Sequence, residues 1–155
     1  MKKKFALTFV SLASVALLAA CGEVSTTGNS GSSSANAGTE VGKTLKVGFN
    51  FEETGDVASY GTAEQKGAQL AVDEINKAGG VDGKQIEVTD KDNKSELSEA
   101  ATVSTNLVTQ AKVNAIVGPA TSGGTGAAVT NAAKASVPLV TPSGTQDDLT
   151  KGQEY

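Results

Sequence analysis

The residues with the clearest chemical potential are Ser, Thr and Gly, clustered in the segment IVGPATSGGTGAA at residues 116–128. The pattern predicts a buried strand that runs into this cluster and a helix over 123–135 that leaves it, with Ser122 as the helix N-cap. Gly123 and Gly124 would leave the first-turn amides uncovered, and free N–H groups at a helix N-terminus attract carboxylate or phosphate. Capping its own helix is the alternative role of Ser122, and capping does not exclude ligand contact.

Phosphate is the less suitable anion for this cluster. A Walker A loop requires G-x-x-x-x-G-K-[ST], and no Lys or Arg follows the glycines of GGTGAA. A dinucleotide-binding fingerprint would open the first helix of the fold, whereas GGTGAA opens the third. A singly charged carboxylate therefore suits the cluster better than a polyphosphate.

The residue types of the chain do not favour catalysis or metal binding. The chain has no histidine, which excludes histidine acid–base chemistry and histidine-liganded metal sites. Ser122 and Ser143 therefore lack a histidine to activate them, and no G-x-S-x-G elbow is present. The segment TDKDNKSE lacks the glycine and the terminal Glu of an EF-hand calcium loop, so a solvated strand end is the better interpretation. We expect a protein that is not an enzyme and that needs no metal or other cofactor.

Three polar segments are predicted to share one edge of a sheet. FEETGDVASYG follows the first predicted strand, PATSGGTG follows the third and TPSGT follows the fourth. In an open parallel sheet, ligands bind outside the carboxyl ends of the strands, near the point where strand order reverses. Hydroxyl side chains and backbone amides that converge on one rim predict a site for a polar small molecule.

The elements that must position these segments alternate regularly between strand and helix. Apolar periodicity predicts, in order, strand 45–51, helix 60–78, strand 84–92, helix 94–112, strand 114–118, helix 123–135 and strand 137–141. Asn93 with Glu96 would form a capping box at the second helix, and the second strand would lie at the sheet's edge. The alternation predicts an α/β fold, a doubly wound parallel sheet with helices on both faces.

The first twenty residues belong to a different class of sequence. MKKK is a basic n-region, an apolar stretch follows, and small residues precede Cys21, the only cysteine of the chain. This order is typical of an export signal. A Cys at the cleavage position resembles the lipobox of bacterial lipoproteins, in which the thiol receives a diacylglyceryl group. We predict a lipoprotein signal peptide over 1–20, with an ordinary signal peptide and an incidental Cys as the alternative.

Residues 21–43 are rich in Ser, Thr and Gly and have little to bury, which predicts a flexible tether behind the lipidated Cys21. The folded domain is then expected over 44–155. The net charge of the whole chain is −4, and it becomes more negative once the three lysines of the leader are removed. An acidic chain is poorly suited to nucleic acid or to a polybasic membrane contact, so the lipid alone would hold the protein at the membrane.

Four motifs follow one another between about Leu45 and Thr150: T-G-x-x-A-x-Y-G, G-A-x-x-A-V-x-x-I-N-x-A-G-G-V-x-G, V-G-P-x-x-S-G and P-x-x-T-P-S-x-T. With these motifs the chain resembles the branched-chain amino acid (Leu/Ile/Val) substrate-binding proteins of ABC importers. The resemblance implies the type I periplasmic-binding fold, of which this sequence would be the N-terminal portion. It would form the Rossmann-like first lobe, with the second lobe absent.

The resemblance also implies roles for four residues on the predicted rim. Tyr60 would lie against the apolar side chain of the ligand. Ser122, through its hydroxyl and backbone amide, and Thr145 likewise would hold the α-carboxylate. The Ser143 carbonyl and the Thr145 hydroxyl would receive the α-ammonium. Structural roles stay open as alternatives, for Tyr60 as a helix aromatic and for Ser143 and Thr145 as turn residues.

By this resemblance the chain would be an extracytoplasmic lipoprotein, anchored to the cell membrane, that binds an amino acid for uptake. Its partners would be the permease and ATPase subunits of an ABC importer. A ligand sensor of the same fold, for amides or other amino acids, and a truncated non-functional remnant are the alternatives. Family members close a second lobe over the ligand, so one lobe alone should bind far more weakly.

Overall fold

The computed structural model describes residues 41–153, which form a four-stranded parallel sheet in the strand order β2-β1-β3-β4. The strands are β1 (Leu45–Phe51), β2 (Ile86–Asp92), β3 (Ala115–Val117) and β4 (Leu139–Val140), and the helices are α1 (Ala58–Lys77), α2 (Leu97–Asn106) and α3 (Ser122–Lys134). A π-helical turn over Leu107–Ala111 continues α2. The predicted signal peptide, Cys21 and most of the tether lie outside the described residues.

One face of the sheet is covered by α1. Phe49 and Phe51 of β1 are fully buried there, and their rings meet edge to face at a centroid distance of 5.6 Å. Val72 of α1 belongs to the same core cluster, and Ala68 packs against it. These two helix residues are four positions apart, so they lie on one face of α1.

The other face is covered by α2, the π-helical turn and α3. Gly48 and Asn50 lie on this side because strand residues alternate between faces. A Cβ on Gly48 would come within 2.8 Å of the Leu107 side chain, so glycine lets the π-helical turn pack directly on β1. The buried Asn50 amide donates a 3.0 Å hydrogen bond to the Ala100 carbonyl. The core of this face consists of Val103, Leu107, Val108, Val113, Ile116, Ala132 and Val137.

The chain leaves β1 and β3 on opposite faces of the sheet. From β1, α1 leads to β2 at one edge, whereas α2 and α3 cross the other face and lead to β3 and β4. This reversal opens a crevice between the carboxyl ends of β1 and β3, where ligands bind in sheets of this class. The predicted doubly wound parallel sheet, with β2 at its edge, is therefore confirmed.

The start of α2 differs from the prediction. The helix begins at Leu97 rather than at 94, because Lys94 and Ser95 adopt the left-handed backbone conformation, with φ of 58° and 62°. The predicted capping box of Asn93 with Glu96 is wrong. The Asn93 side chain instead accepts a 3.0 Å hydrogen bond from the Ser95 N–H, in a turn that precedes the helix.

β1 has its predicted bounds, and the remaining elements occupy their predicted places with shifted ends. α1 begins two residues earlier than expected, and β3 and β4 are each shorter than their predicted ranges. Element ends depend on capping groups and on pairing partners, which apolar periodicity does not encode. None of the helices between residues 41 and 153 is long and apolar enough to cross a membrane.

Candidate functional site

The crevice brings three of the predicted polar segments together: the β1 loop (52–57), the β3 loop (118–121) and the β4 loop (141–145). Gly118 makes the close approach of the first two possible. Its φ is 94°, and a Cβ there would lie 2.4 Å from the carbonyl oxygen of Asn50. Glycine is the residue that tolerates both this backbone conformation and this proximity.

A buried carboxylate joins the β1 loop to the β3 loop. Glu52 is 2% exposed, and its Oε2 accepts a hydrogen bond from the Ala120 N–H at 2.9 Å. Its Oε1 accepts from the Thr121 N–H at 3.2 Å and from the Thr121 hydroxyl at 2.8 Å. Sequence reasoning missed Glu52, although an acidic residue directly after an apolar strand was a usable signal. The two amides that precede α3 are therefore engaged by the chain's own carboxylate.

Thr121, rather than Ser122, is the N-cap of α3. The Thr121 hydroxyl accepts a 3.1 Å hydrogen bond from the Gly124 N–H, and the Thr121 carbonyl accepts from the Thr125 N–H. The prediction of Ser122 as N-cap is wrong because the extended residue before it already supplies the capping oxygen. The N–H groups of Ser122 and Gly123 have no hydrogen-bond acceptor among the described residues. These two amides are the ones that the helix offers to an anion.

The structure brings Ser122 and Thr145 together, as their predicted shared role requires. The Ser122 Oγ accepts a 3.0 Å hydrogen bond from the Thr145 N–H, which ties the N-terminus of α3 to the β4 loop. Ser122 is half-buried and Thr145 is exposed. A ligand carboxylate held by both residues would share or replace this hydrogen bond.

Ser143 is held by α1. Its hydroxyl donates a hydrogen bond to Oε1 of Glu64 in the second turn of that helix. Oε2 of Glu64 is buried and has no hydrogen-bond partner in the part of the chain that the structure describes. The hydroxyl of Thr141 shapes the same loop, because it donates to the Pro119 carbonyl at 2.8 Å and accepts from the Gly144 N–H at 3.0 Å. Neither Glu64 nor Thr141 was singled out from the sequence.

Tyr60 lies in the first turn of α1 and is 64% exposed. It precedes Glu64 by four residues, so the two side chains lie on one face of the helix. Because Glu64 contacts Ser143, this is the face of α1 nearest the β4 loop. The exposure leaves the ring available to an apolar group, and its contact with a ligand stays a prediction.

A groove of about 280 Å³ runs between α3 and the segment 146–153. Of the four predicted ligand residues, Ser122 lines it and the other three do not; the lining includes Gly123, Gly126, Thr130, Gln146 and Leu149. The predicted site is thus the open rim formed by the three loops rather than this groove.

The carboxylates at the ends of β1 and β2 have opposite pKa shifts. Partial burial acts to raise the pKa of Asp92, but hydrogen bonds from the Thr54 hydroxyl at 2.6 Å, the Lys94 N–H at 2.7 Å and two further amides lower it. Burial and the neighbouring charges of Asp90 and Asp92 raise the pKa of Glu53. No group of three or more His, Cys, Asp or Glu side chains within residues 41–153 could hold a metal ion.

Comparison with known proteins shows the family to which the chain belongs. Residues 44–154 match the family described as periplasmic binding protein. The chain is 36% identical over 107 residues to the Leu/Ile/Val-binding protein BraC3 of Rhizobium johnstonii, which is 69% of this chain and 29% of the relative. It is 35% identical, over 69% of this chain and 28% of the relative, to the leucine-, isoleucine-, valine-, threonine- and alanine-binding protein of Pseudomonas aeruginosa.

A solved structure with high similarity is the branched-chain amino acid transporter substrate binding protein LivJ of Streptococcus pneumoniae, in complex with isoleucine. The identity is 77% and the TM-score 0.71, over 72% of this chain and 32% of that chain. The chain thus spans less than a third of the length of these relatives. The matches confirm the resemblance that the four motifs predicted. The chain belongs to the periplasmic binding protein family.

Proposed function

We propose that the protein is an extracytoplasmic substrate-binding lipoprotein of an ABC importer, and that it binds the branched-chain amino acids Leu, Ile and Val for uptake. The observation that carries this proposal is the junction of α3 with the β4 loop. Two helix amides without a described acceptor, at Ser122 and Gly123, lie beside the hydrogen bond that joins Ser122 to Thr145. The isoleucine complex of LivJ, 77% identical over 72% of this chain, supports the ligand class.

The rim has the donors and acceptors that an amino-acid zwitterion requires. The carboxylate would accept hydrogen bonds from the Ser122 hydroxyl and amide and from Thr145, helped by the positive end of the helix dipole. The ammonium would donate to the Ser143 carbonyl and to the Thr145 hydroxyl. Tyr60 would cover the apolar side chain. Each of these groups would bind the ligand, and the chain has no histidine that would make Ser122 or Ser143 a nucleophile, so we propose binding without catalysis.

Calorimetric titration of the full-length protein with leucine, isoleucine and valine tests the proposal. Heat with at least one of them is expected. Ser122→Ala combined with Thr145→Ala should raise Kd by about 100-fold or more, because two hydrogen bonds to charged ligand groups, each worth about 1.5–3 kcal/mol, are lost. The fold should be unaffected, as measured by circular dichroism.

A matched control is Ser98→Ala with Thr105→Ala, which removes two exposed hydroxyls from α2, and its Kd should equal that of the wild type. Wild-type affinity in the folded Ser122/Thr145 variant would overturn the carboxylate site. Heat with an amide or an aromatic acid, and none with the three amino acids, would overturn the ligand class.

We further propose the organisation expected from the sequence: a signal peptide over 1–20, a lipidated Cys21 with a tether over 21–43, and the ligand-binding lobe over 44–155. The mature protein would then meet the permease and ATPase subunits at the outer face of the cell membrane. Cys21→Ala should abolish the incorporation of a labelled fatty acid, because the substitution removes the thiol that would receive the diacylglyceryl group. Incorporation of a labelled fatty acid is the measurement, and equal labelling of the variant would contradict the lipid anchor.

A further inference from the structure

We propose that Glu52 is a positioning residue that sets the carboxylate-binding end of the rim, an inference that rests on the proposed function. Glu52 follows β1 directly, and its side chain bridges the crevice to the β3 loop. It touches no ligand group in this proposal. It acts through the amides of α3, and the steps below derive that action from its contacts.

The first step is the hydrogen bonding of its carboxylate. The group is 2% exposed and accepts three hydrogen bonds, from the N–H groups of Ala120 and Thr121 and from the Thr121 hydroxyl. A buried carboxylate is tolerated when charge-assisted hydrogen bonds satisfy its oxygens. Because Thr121 is also the N-cap of α3, Glu52 fixes both the cap and the direction in which the helix begins.

The second step is the packing of Glu52 between two glycines, one on each helix. A Cβ on Gly61 of α1 would lie 2.2 Å from the Glu52 carbonyl oxygen, and a Cβ on Gly124 of α3 would lie 3.0 Å from its Oε1. Gly61 is the neighbour of Tyr60, and Gly124 lies two residues after Ser122. The backbone of Glu52 therefore contacts the start of α1, whereas its carboxylate contacts the start of α3, so a change of the side chain acts on the proposed carboxylate contact.

The third step concerns the kind of anion that the loop accepts. Glu52 engages the two amides before α3, so the amides of Ser122 and Gly123 remain for a ligand. Two adjacent N–H groups suit the two oxygens of a carboxylate. A phosphate needs more donors and brings more negative charge toward Glu52, which opposes its binding. The internal carboxylate thus favours a singly charged ligand group.

The test compares Glu52→Ala and Glu52→Gln in the complete translation product, with Glu53→Gln as the matched control. Glu53→Gln makes the same charge change one residue away, at a carboxylate beside Asp90 and Asp92. The probes are leucine and leucinamide, which differ in the carboxylate, and Kd is measured for both by calorimetry. Thermal melting reports the fold of each variant.

Glu52→Ala should weaken leucine binding about tenfold, because the β3 loop loses the acceptor of three donors and the Ser122 and Gly123 amides lose their alignment. Leucinamide affinity should change less than about twofold, so the preference for the carboxylate shrinks. Glu52→Gln keeps one acceptor oxygen and should restore part of the loss. Glu53→Gln should match the wild type with both probes.

Equal losses for leucine and leucinamide in Glu52→Ala would show a general structural role and overturn the inference, as would an unchanged leucine Kd in the folded variant. If Glu52→Ala fails to fold, Glu52→Gln replaces it in the comparison. Equal increases of the leucine Kd and the leucinamide Kd in Glu52→Gln, or an unchanged leucine Kd, would then overturn the inference. A wild type that binds no leucine would instead overturn the proposed function itself, and the inference with it.

Discussion

Carboxylates on the rim of the sheet are stabilised by backbone amides and hydroxyls rather than by cations. Glu52 and Asp92 each accept several such hydrogen bonds, whereas the single ion pair among the described residues, Lys94 with Glu99 at 3.7 Å, lies at the surface. Surface pairs of this kind contribute little to stability. The carboxylate of an amino acid would meet at Ser122 the same kind of environment that the protein provides for its own carboxylates.

At the residue scale, Asp92 should make stability depend on acid pH. Its pKa is lowered from the ordinary value of 3.8 in the folded state, so its contribution is full above that value and is lost as pH falls through the lower folded pKa. Asp92→Asn should reduce the free energy of unfolding by about 1–2 kcal/mol at pH 7, because the side-chain oxygen that accepts from the Thr54 hydroxyl is lost. The difference from the wild type should be smaller at pH 2 than at pH 7, as measured by urea denaturation.

Asp147→Asn is the control for this experiment, because Asp147 is exposed and accepts no hydrogen bond from the residues described. It should change stability little at either pH. If the difference in the free energy of unfolding between wild type and Asp92→Asn stayed constant from pH 7 to pH 2, the effect would come from side-chain packing rather than from the charge of Asp92.

At the scale of elements, the order and type of the strands and helices could be predicted because each carries a clear apolar period. LKVGFNF alternates so that Phe49 and Phe51 face α1 while Gly48 and Asn50 face the opposite helices. The ends were harder to predict. α2 begins later than predicted because Lys94 adopts the left-handed backbone conformation. The N-cap of α3 lies one residue earlier than predicted because the hydroxyls of Thr121 and Ser122 are both able to cap the helix, and Thr121 does so.

The candidate site was predictable where it follows from topology and motif, and not where it depends on distant partners. Ser122 and Thr145 follow adjacent parallel strands, so their hydrogen bond could be anticipated. Glu52 bonds to Ala120 across 68 residues, and Glu64 bonds to Ser143 across 79. Neither pairing has a local signature, since it arises only when α1 and the two loops meet at the crevice.

At the scale of the whole molecule, the rim formed by residues 41–153 exposes Tyr60 and Thr145 to solvent. A ligand on such a rim would make its polar contacts on one side and keep part of its side chain in water. Affinity then depends on what covers the ligand, since hydrophobic burial scales with the apolar area removed from water.

We therefore expect residues 22–155 alone to bind isoleucine about a hundredfold more weakly than the complete LivJ protein of Streptococcus pneumoniae, measured side by side by calorimetry. Leaving about 100 Å² of apolar ligand surface in water costs about 2.5 kcal/mol, which is close to a factor of a hundred in Kd. LivJ shortened to the segment that matches this chain should lose affinity by the same factor, which separates the effect of length from that of sequence. A Kd for residues 22–155 within threefold of that of complete LivJ would show that the rim alone supplies the binding free energy.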